Sequence, residues 1–154
     1  MKKIITIVLV LALMLPSCCS ADDLDSIRAR YNIKASYWGA PKLPDTYSEA
    51  PAANGSYYFF MLDKITVAFS GPRDDIVNGY VFYDEGADVG SFLYSCMAMA
   101  TTVISSVSYI DIGGFIITGF TLCKHGESAV PYYLSGYAAM DIQENQIVFS
   151  CMDY

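Results

Sequence analysis

From Val89 to Ile110 the chain carries no charged side chain, and runs of aromatic and β-branched residues lie on both sides of this stretch. A segment of that length and neutrality can become a membrane span, for which about 20 uncharged residues suffice. It can also become an amphipathic helix lying across a sheet. The pattern favours the sheet-bound helix. Ser91, Ser95, Thr102, Ser105 and Ser106 fall on one helical side, while Leu93, Cys96, Met97, Ala100, Val103, Ile104 and Val107 recur at three and four on the other. Thr101, Thr102, Val103 and Ile104 are β-branched, which lowers helix propensity, so tertiary packing has to hold this helix. Asp88 or Ser91 stands where an N-cap is needed.

The flanks read as strands. Residues 57–62 and 65–70 are aromatic and β-branched runs around Asp63-Lys64, which predicts a tight hairpin whose turn lacks the favoured glycine. After the turn cluster Gly71-Pro72-Arg73-Asp74-Asp75, residues 76–83 form a third expected strand, with Asn78-Gly79 as a bulge. Beyond the helix, Gly113-Gly114 is expected to release a strand over 115–124, with a hairpin tip at 124–127. Further strands are expected over 130–142 and 146–152; in the last, Ile147, Phe149 and Cys151 alternate with Val148, Ser150 and Met152. The fold class is therefore α+β: an antiparallel sheet of about five to six strands packed on one long helix, βββ-α-βββ, in two layers.

The start of the chain reads as an address. Met1-Lys2-Lys3 is basic, residues 4–15 are apolar apart from Thr6, and small residues follow from Pro16 to Ala21. That is the layout of a secretory signal. Leu15-Pro16-Ser17-Cys18 resembles the lipobox of bacterial lipoproteins. The resemblance implies a signal peptide over 1–17, acylation of Cys18, and a cell-envelope protein that meets the membrane through its N-terminal lipid only. Cleavage after Ala21, giving a secreted or periplasmic protein, is the alternative. Residues 18–55 are expected to form a tether with a short helix over 22–31 and an irregular arm holding Pro41, Pro44 and Pro51. Residues 56–154 form the single domain.

Charge narrows the partners. Loss of Lys2 and Lys3 with the signal takes nine basic residues to seven, against sixteen acidic ones. Such a surface repels phosphate backbones and anionic headgroups, which excludes nucleic acid as an expected partner and leaves a protein partner, a basic one among the options. At 54% apolar and 16% charged, the composition is that of a folded domain and not of a disordered chain.

No G-x-S-x-G, H-E-x-x-H or P-loop pattern is present, so no catalytic residue, cofactor or metal ligand is assigned. Cys123 and Cys151, near the ends of two expected strands, are the expected disulfide in an exported chain; Cys96 is expected as a buried thiol on the helix. His125, the only histidine, lies two residues from Cys123, which would allow a thiol–imidazole pair on a strand. Asp84, Glu85 and Asp88 form an acidic loop, with Asp74-Asp75 one strand away; such loops can hold calcium, but this spacing is not that of an EF-hand. The thirteen tyrosines and one tryptophan mark the best binding surface, with Tyr37, Trp38, Tyr57, Tyr132 and Tyr133 as its expected members. The sequence thus points to a non-catalytic module that binds or inhibits another macromolecule. The alternative is a small secreted hydrolase using carboxylates or the Cys123/His125 pair.

Overall fold

The structure, a computed structural model, describes residues 23–104, 107–127, 132–133, 136–143 and 146–153. The signal, Cys18 and Cys19 lie outside the described residues. The element order is α1 (Leu24–Trp38), β1 (Ser48–Ala52), β2 (Gly55–Leu62), β3 (Ile65–Gly71), β4 (Asn78–Tyr83), α2 (Val89–Val103), α3 (Tyr109–Lys124), β5 (Tyr132–Tyr133), β6 (Gly136–Gln143) and β7 (Gln146–Asp153). The strands form one antiparallel sheet in the order β1-β2-β3-β4-β7-β6-β5. The expected α+β class holds, with a wider sheet and more helix than expected.

The β2–β3 hairpin forms as its pattern dictates. Leu62 pairs with Ile65, and Asp63 takes the left-handed conformation (φ 57°) that the two-residue turn needs. Asp tolerates that region better than most residues, so glycine is not required. No bulge interrupts β4: Asn78 and Gly79 pair in register with Ser70 and Phe69 on one side and with Met152 and Cys151 on the other. Gly79 serves packing instead. A Cβ there would collide with Met99 and Val103, so its absence lets α2 settle onto the sheet.

Three expectations are corrected. First, the long helix is two helices. Residues 115–124, expected as a strand, belong to α3. Ile112, Ile116, Phe120 and Cys123 are buried at spacings of four, four and three, a helical stripe that covers the sheet. Second, the serine and threonine side of α2 does not face solvent. Ser95 and Thr102 are buried along with most of the helix from Phe92 to Val103, because α1 lies against one flank and the sheet against the other. Thr102 donates its hydroxyl to Ala98 O at 2.6 Å, which satisfies the polar group inside its own helix. Third, residues 24–55 are not a separate arm. Leu24, Ile27, Tyr31, Ala35 and Leu43 sit in the common core, and β1 is the edge strand. Pro51 is compatible with that strand because alternate amides of an edge strand point away from the sheet, where there is no ladder bond to lose.

All three helices lie on one face of the sheet. Tyr31 of α1 meets Phe69 edge-on at 6.4 Å, and Tyr83, Phe92 and Phe120 form a triangle of rings at 5.2–5.3 Å that fastens β4 to α2 and α3. Asp23 caps α1 and Asp88 caps α2, each accepting an amide bond at 2.7 Å. Among the described residues, the opposite face of the sheet has no helix on it.

Candidate functional site

Alternation along each strand sends every second side chain to the helix-free face. β2 presents Tyr57, Phe59 and Met61 there, β4 presents Asn78, Tyr80 and Phe82, and the intervening β3 presents Thr66, Ala68 and Ser70. Strands two apart are separated by about 9.6 Å, too far for simple ring contact. The small side chains of Ala68 and Ser70 remove that obstacle. The rings of β2 and β4 lean across β3 and meet, Tyr57 with Tyr80 at 6.0 Å and Phe59 with Phe82 at 6.4 Å. Along the strands, Tyr57–Phe59 and Tyr80–Phe82 are spaced at 5.9 and 6.2 Å with near-parallel planes. Ala68 and Ser70 are buried beneath this four-ring cluster, while the rings themselves stay half-buried and Met61 is 65% exposed.

One end of the cluster is polar. Asn78 Nδ2 donates to Ser70 Oγ at 3.1 Å, and the Tyr80 hydroxyl lies 3.5 Å from the same oxygen. A cleft of about 270 Å³ opens here between Asn54, Tyr57, Pro72, Val77 and Tyr80. Burial pushes the Tyr80 phenol above its ordinary value, with the Ser70 hydroxyl opposing the shift. Among the described residues, this face carries no charged side chain from β1 through β4 or on β7, and Asp141 of β6 is a carboxylate at its margin.

The expected surface residues do not converge. Tyr57 belongs to the four-ring cluster. Tyr37 and Trp38 stand at the end of α1 in the helical layer, where Trp38 packs edge-on against Tyr109 at 5.6 Å and Tyr37 is exposed. Tyr132 and Tyr133 form β5 at the far edge of the sheet. Phe59, Tyr80 and Phe82 complete the cluster and escaped the sequence reading, which took them only as strand formers. Their shared parity with Tyr57 was the available signal.

The candidate chemistry falls elsewhere, at the opposite end of the strands. Cys123 lies in the last turn of α3, not at a strand end, and Cys151 lies on β7 facing the helices. Cys96, Cys123 and Cys151 are all buried thiols, so the expected Cys123–Cys151 bond is not made in this structure. Complete burial also pushes the Cys96 thiol well up. His125 caps α3 through its backbone and is exposed, whereas Cys123 is buried. Two residues apart on helical geometry, their side chains diverge by about 200°, which dissolves the thiol–imidazole pair. Cys123 instead borders an open cleft of about 830 Å³ together with Tyr83, Asp84, Glu85, Lys124 and Gln146. Lys124 Nζ sits 5.3 Å from the centre of the Tyr83 ring, and Gln146 Nε2 donates to the Asp84 carboxylate. Asp88, spent on capping α2, is withdrawn from the acidic loop. Among the described residues no grouping of three or more His, Cys, Asp or Glu could hold a metal ion, and no helix is long and apolar enough to cross a membrane.

No family model, curated protein or solved structure matches this chain.

Proposed function

We propose that the protein is an exported, lipid-anchored envelope protein that works by docking another protein, without catalysis, on the helix-free face of its sheet. The observation that carries this reading is the four-ring cluster of Tyr57, Phe59, Tyr80 and Phe82 on a face whose strands β1–β4 and β7 bring no charge. Aromatic side chains with a polar handle enrich at docking surfaces because they combine large apolar area with few rotamers to freeze. Contiguous apolar patches on an exported domain call for a partner. The acidic groups lie mainly in the turns at the two ends of the sheet and in the helical layer, among them Asp63, Asp74, Asp75, Asp84 and Glu85. Acylation of Cys18 would hold the module at a membrane by its lipid alone, with no spanning segment.

The test is site-specific photocrosslinking in membranes of the native host. A crosslinker at Phe82 should trap one defined protein species, whereas the same group at Tyr37 in the helical layer should trap none. Equal trapping from both positions, or none from Phe82, would remove the sheet face from the reading. Mass analysis of the membrane-extracted chain checks the anchor: it should begin at Cys18 and carry acyl groups.

A further inference from the structure

We infer that the protein docked on the helix-free face is a second copy of this chain, packed sheet on sheet. The inference deepens the docking reading above and rests on it. Three observations select this occupant.

The first is how the sheet is finished. A partner could instead add a strand to an edge, the usual way a sheet recruits a peptide. The β1 edge carries Pro51, which lacks an amide hydrogen, and β5 at the other edge comprises only Tyr132 and Tyr133 among the described residues. Pro51 discourages strand addition at the β1 edge, the edge that flanks the ring cluster. Association through the face is then favoured there.

The second is charge. Without the signal the chain carries seven basic residues against sixteen acidic ones, so two copies repel over most of their surfaces. Strands β1–β4 and β7 of the open face add nothing to that repulsion, because Ser48, Ala50, Tyr57, Phe59, Met61, Thr66, Tyr80, Phe82, Ser150 and Met152 are all uncharged. An isologous contact sets one patch against its own copy, and an uncharged patch is compatible with itself. A basic heterologous partner would gain little from this patch, since it offers that partner no carboxylate except Asp141 at the margin.

The third is size. Six neighbouring strands at about 4.8 Å spacing and about six residues of strand length give a footprint of roughly 500 Å² per copy. Two such faces bury roughly 1,000 Å² before ring relief is counted, which reaches the lower bound for a specific interface. Sheets stacked in this way pack about 10 Å apart with side chains interdigitating, and the grooves between the ring rows and Ser70, Ala68 and Thr66 supply the relief.

The tether then fixes the symmetry axis. The amide of Leu24 donates to Arg73 O at 3.0 Å, so the chain enters the domain at the end of the sheet where β3 turns into β4. Five residue steps lead from Cys18 to Asp23, a reach of at most about 18 Å. Two anchored copies on one membrane must therefore present the same sheet end to it. Face-to-face packing meets that condition when the two-fold axis runs along the strands, and fails when it crosses them. Confinement to one surface also raises the effective concentration of each copy for the other.

The Phe82 crosslinker in native membranes, with the full chain, decides between the two levels of the reading. The self-docking inference expects a product of twice the 16.9 kDa chain mass, apart from signal and lipid. A defined product of another mass leaves face docking intact and overturns self-docking; absence of any product overturns both. Sedimentation of the detergent-extracted protein should give a dimer that salt does not dissociate, since no charge holds it. Met61→Glu, at a side chain exposed enough to leave the fold alone, and Phe82→Glu should each weaken it about 30-fold or more, the loss of one hot spot. Tyr37→Glu in the helical layer should leave it unchanged. A chain that stays monomeric up to its solubility limit, with native circular dichroism, overturns the inference.

Discussion

The two faces of the sheet are built from the same kinds of residue on the same strands, yet they do opposite things. On β2, Phe60 is fully buried under the helical layer while its neighbour Phe59 stands half-buried on the open side. On β4, Val81 and Tyr83 are buried against α2 and α3 while Tyr80 and Phe82 look outward. Ring contacts occur on both sides at similar separations, 6.1 Å for Phe60–Phe69 inside and 6.4 Å for Phe59–Phe82 outside. The difference is what lies above them. Composition therefore does not tell a core from a docking surface; coverage does, and one residue of register decides which side a ring joins.

The largest effect expected from this comparison separates the faces by stability. Phe69→Ala removes a fully buried ring beneath α1 and should cost about 3–5 kcal/mol. Phe59→Ala, on the open face, should cost on the order of 1 kcal/mol, because solvent already reaches the ring. Urea midpoints of the two variants measure the gap. Equal losses would mean that the open face is core, and the docking reading would go with it.

Much of this asymmetry was legible in the sequence, and the reasons for the misses are specific. The β2–β3 hairpin and β7 follow from alternation, and Asp88 announces its cap. The α3 segment misled because Gly113, Gly114, Ile116, Ile117 and Thr118 carry strand or breaker propensity; burial of Ile112, Ile116, Phe120 and Cys123 on one helical stripe outweighed it. Pro51 hid β1 because an edge strand tolerates what a central strand does not. The serine and threonine stripe of α2 looked solvent-facing because a linear pattern shows neither that α1 covers that flank nor that Thr102 bonds back to Ala98. At the open face, Tyr57 was legible as a surface tyrosine. Its convergence with Phe59, Tyr80 and Phe82 was not, because it depends on β3 being small at Ala68 and Ser70 and on β2 and β4 both pairing with β3.

A middle-sized effect sharpens how the covered face is closed. Gly79 sits where α2 comes nearest the sheet, with Met99 and Val103 occupying the space a Cβ would need. Met99 can swing aside, but branched Val103 cannot do so without shifting the helix. Gly79→Ala should therefore cost about 1–3 kcal/mol, and pairing it with Val103→Ala should recover part of that loss. The same exchange at Gly114, which has open space around its Cβ position, should be neutral or stabilising within a helix. Thermal melts of the three variants order these outcomes. A tolerated Gly79→Ala would show that α2 does not press on β4 there.

The smallest effect at neutral pH concerns the two tyrosines that titrate differently on the two faces. Tyr31 is completely enclosed between α1, α2 and β3; its hydroxyl lies beside that of Ser95, and neither makes a hydrogen bond of normal geometry. Burial drives the Tyr31 phenol far above its ordinary value of 10.0, while Tyr80, half-buried on the open face, is raised as well. A raised folded-state value means that the neutral phenol's contribution is fully present below pH 10 and is lost as pH climbs from there toward the folded value. The covered face should thus fail first in alkali, through Tyr31. Tyr31→Phe removes a hydroxyl that gains no good bond and should change neutral-pH stability by less than about 1 kcal/mol. It should also move the alkaline unfolding transition to higher pH, as read by helical circular dichroism. Tyr80→Phe should leave that transition in place. If the two substitutions instead shifted it equally, the helical layer would shield its tyrosine no better than the open face does, and coverage would cease to be what distinguishes the two sides.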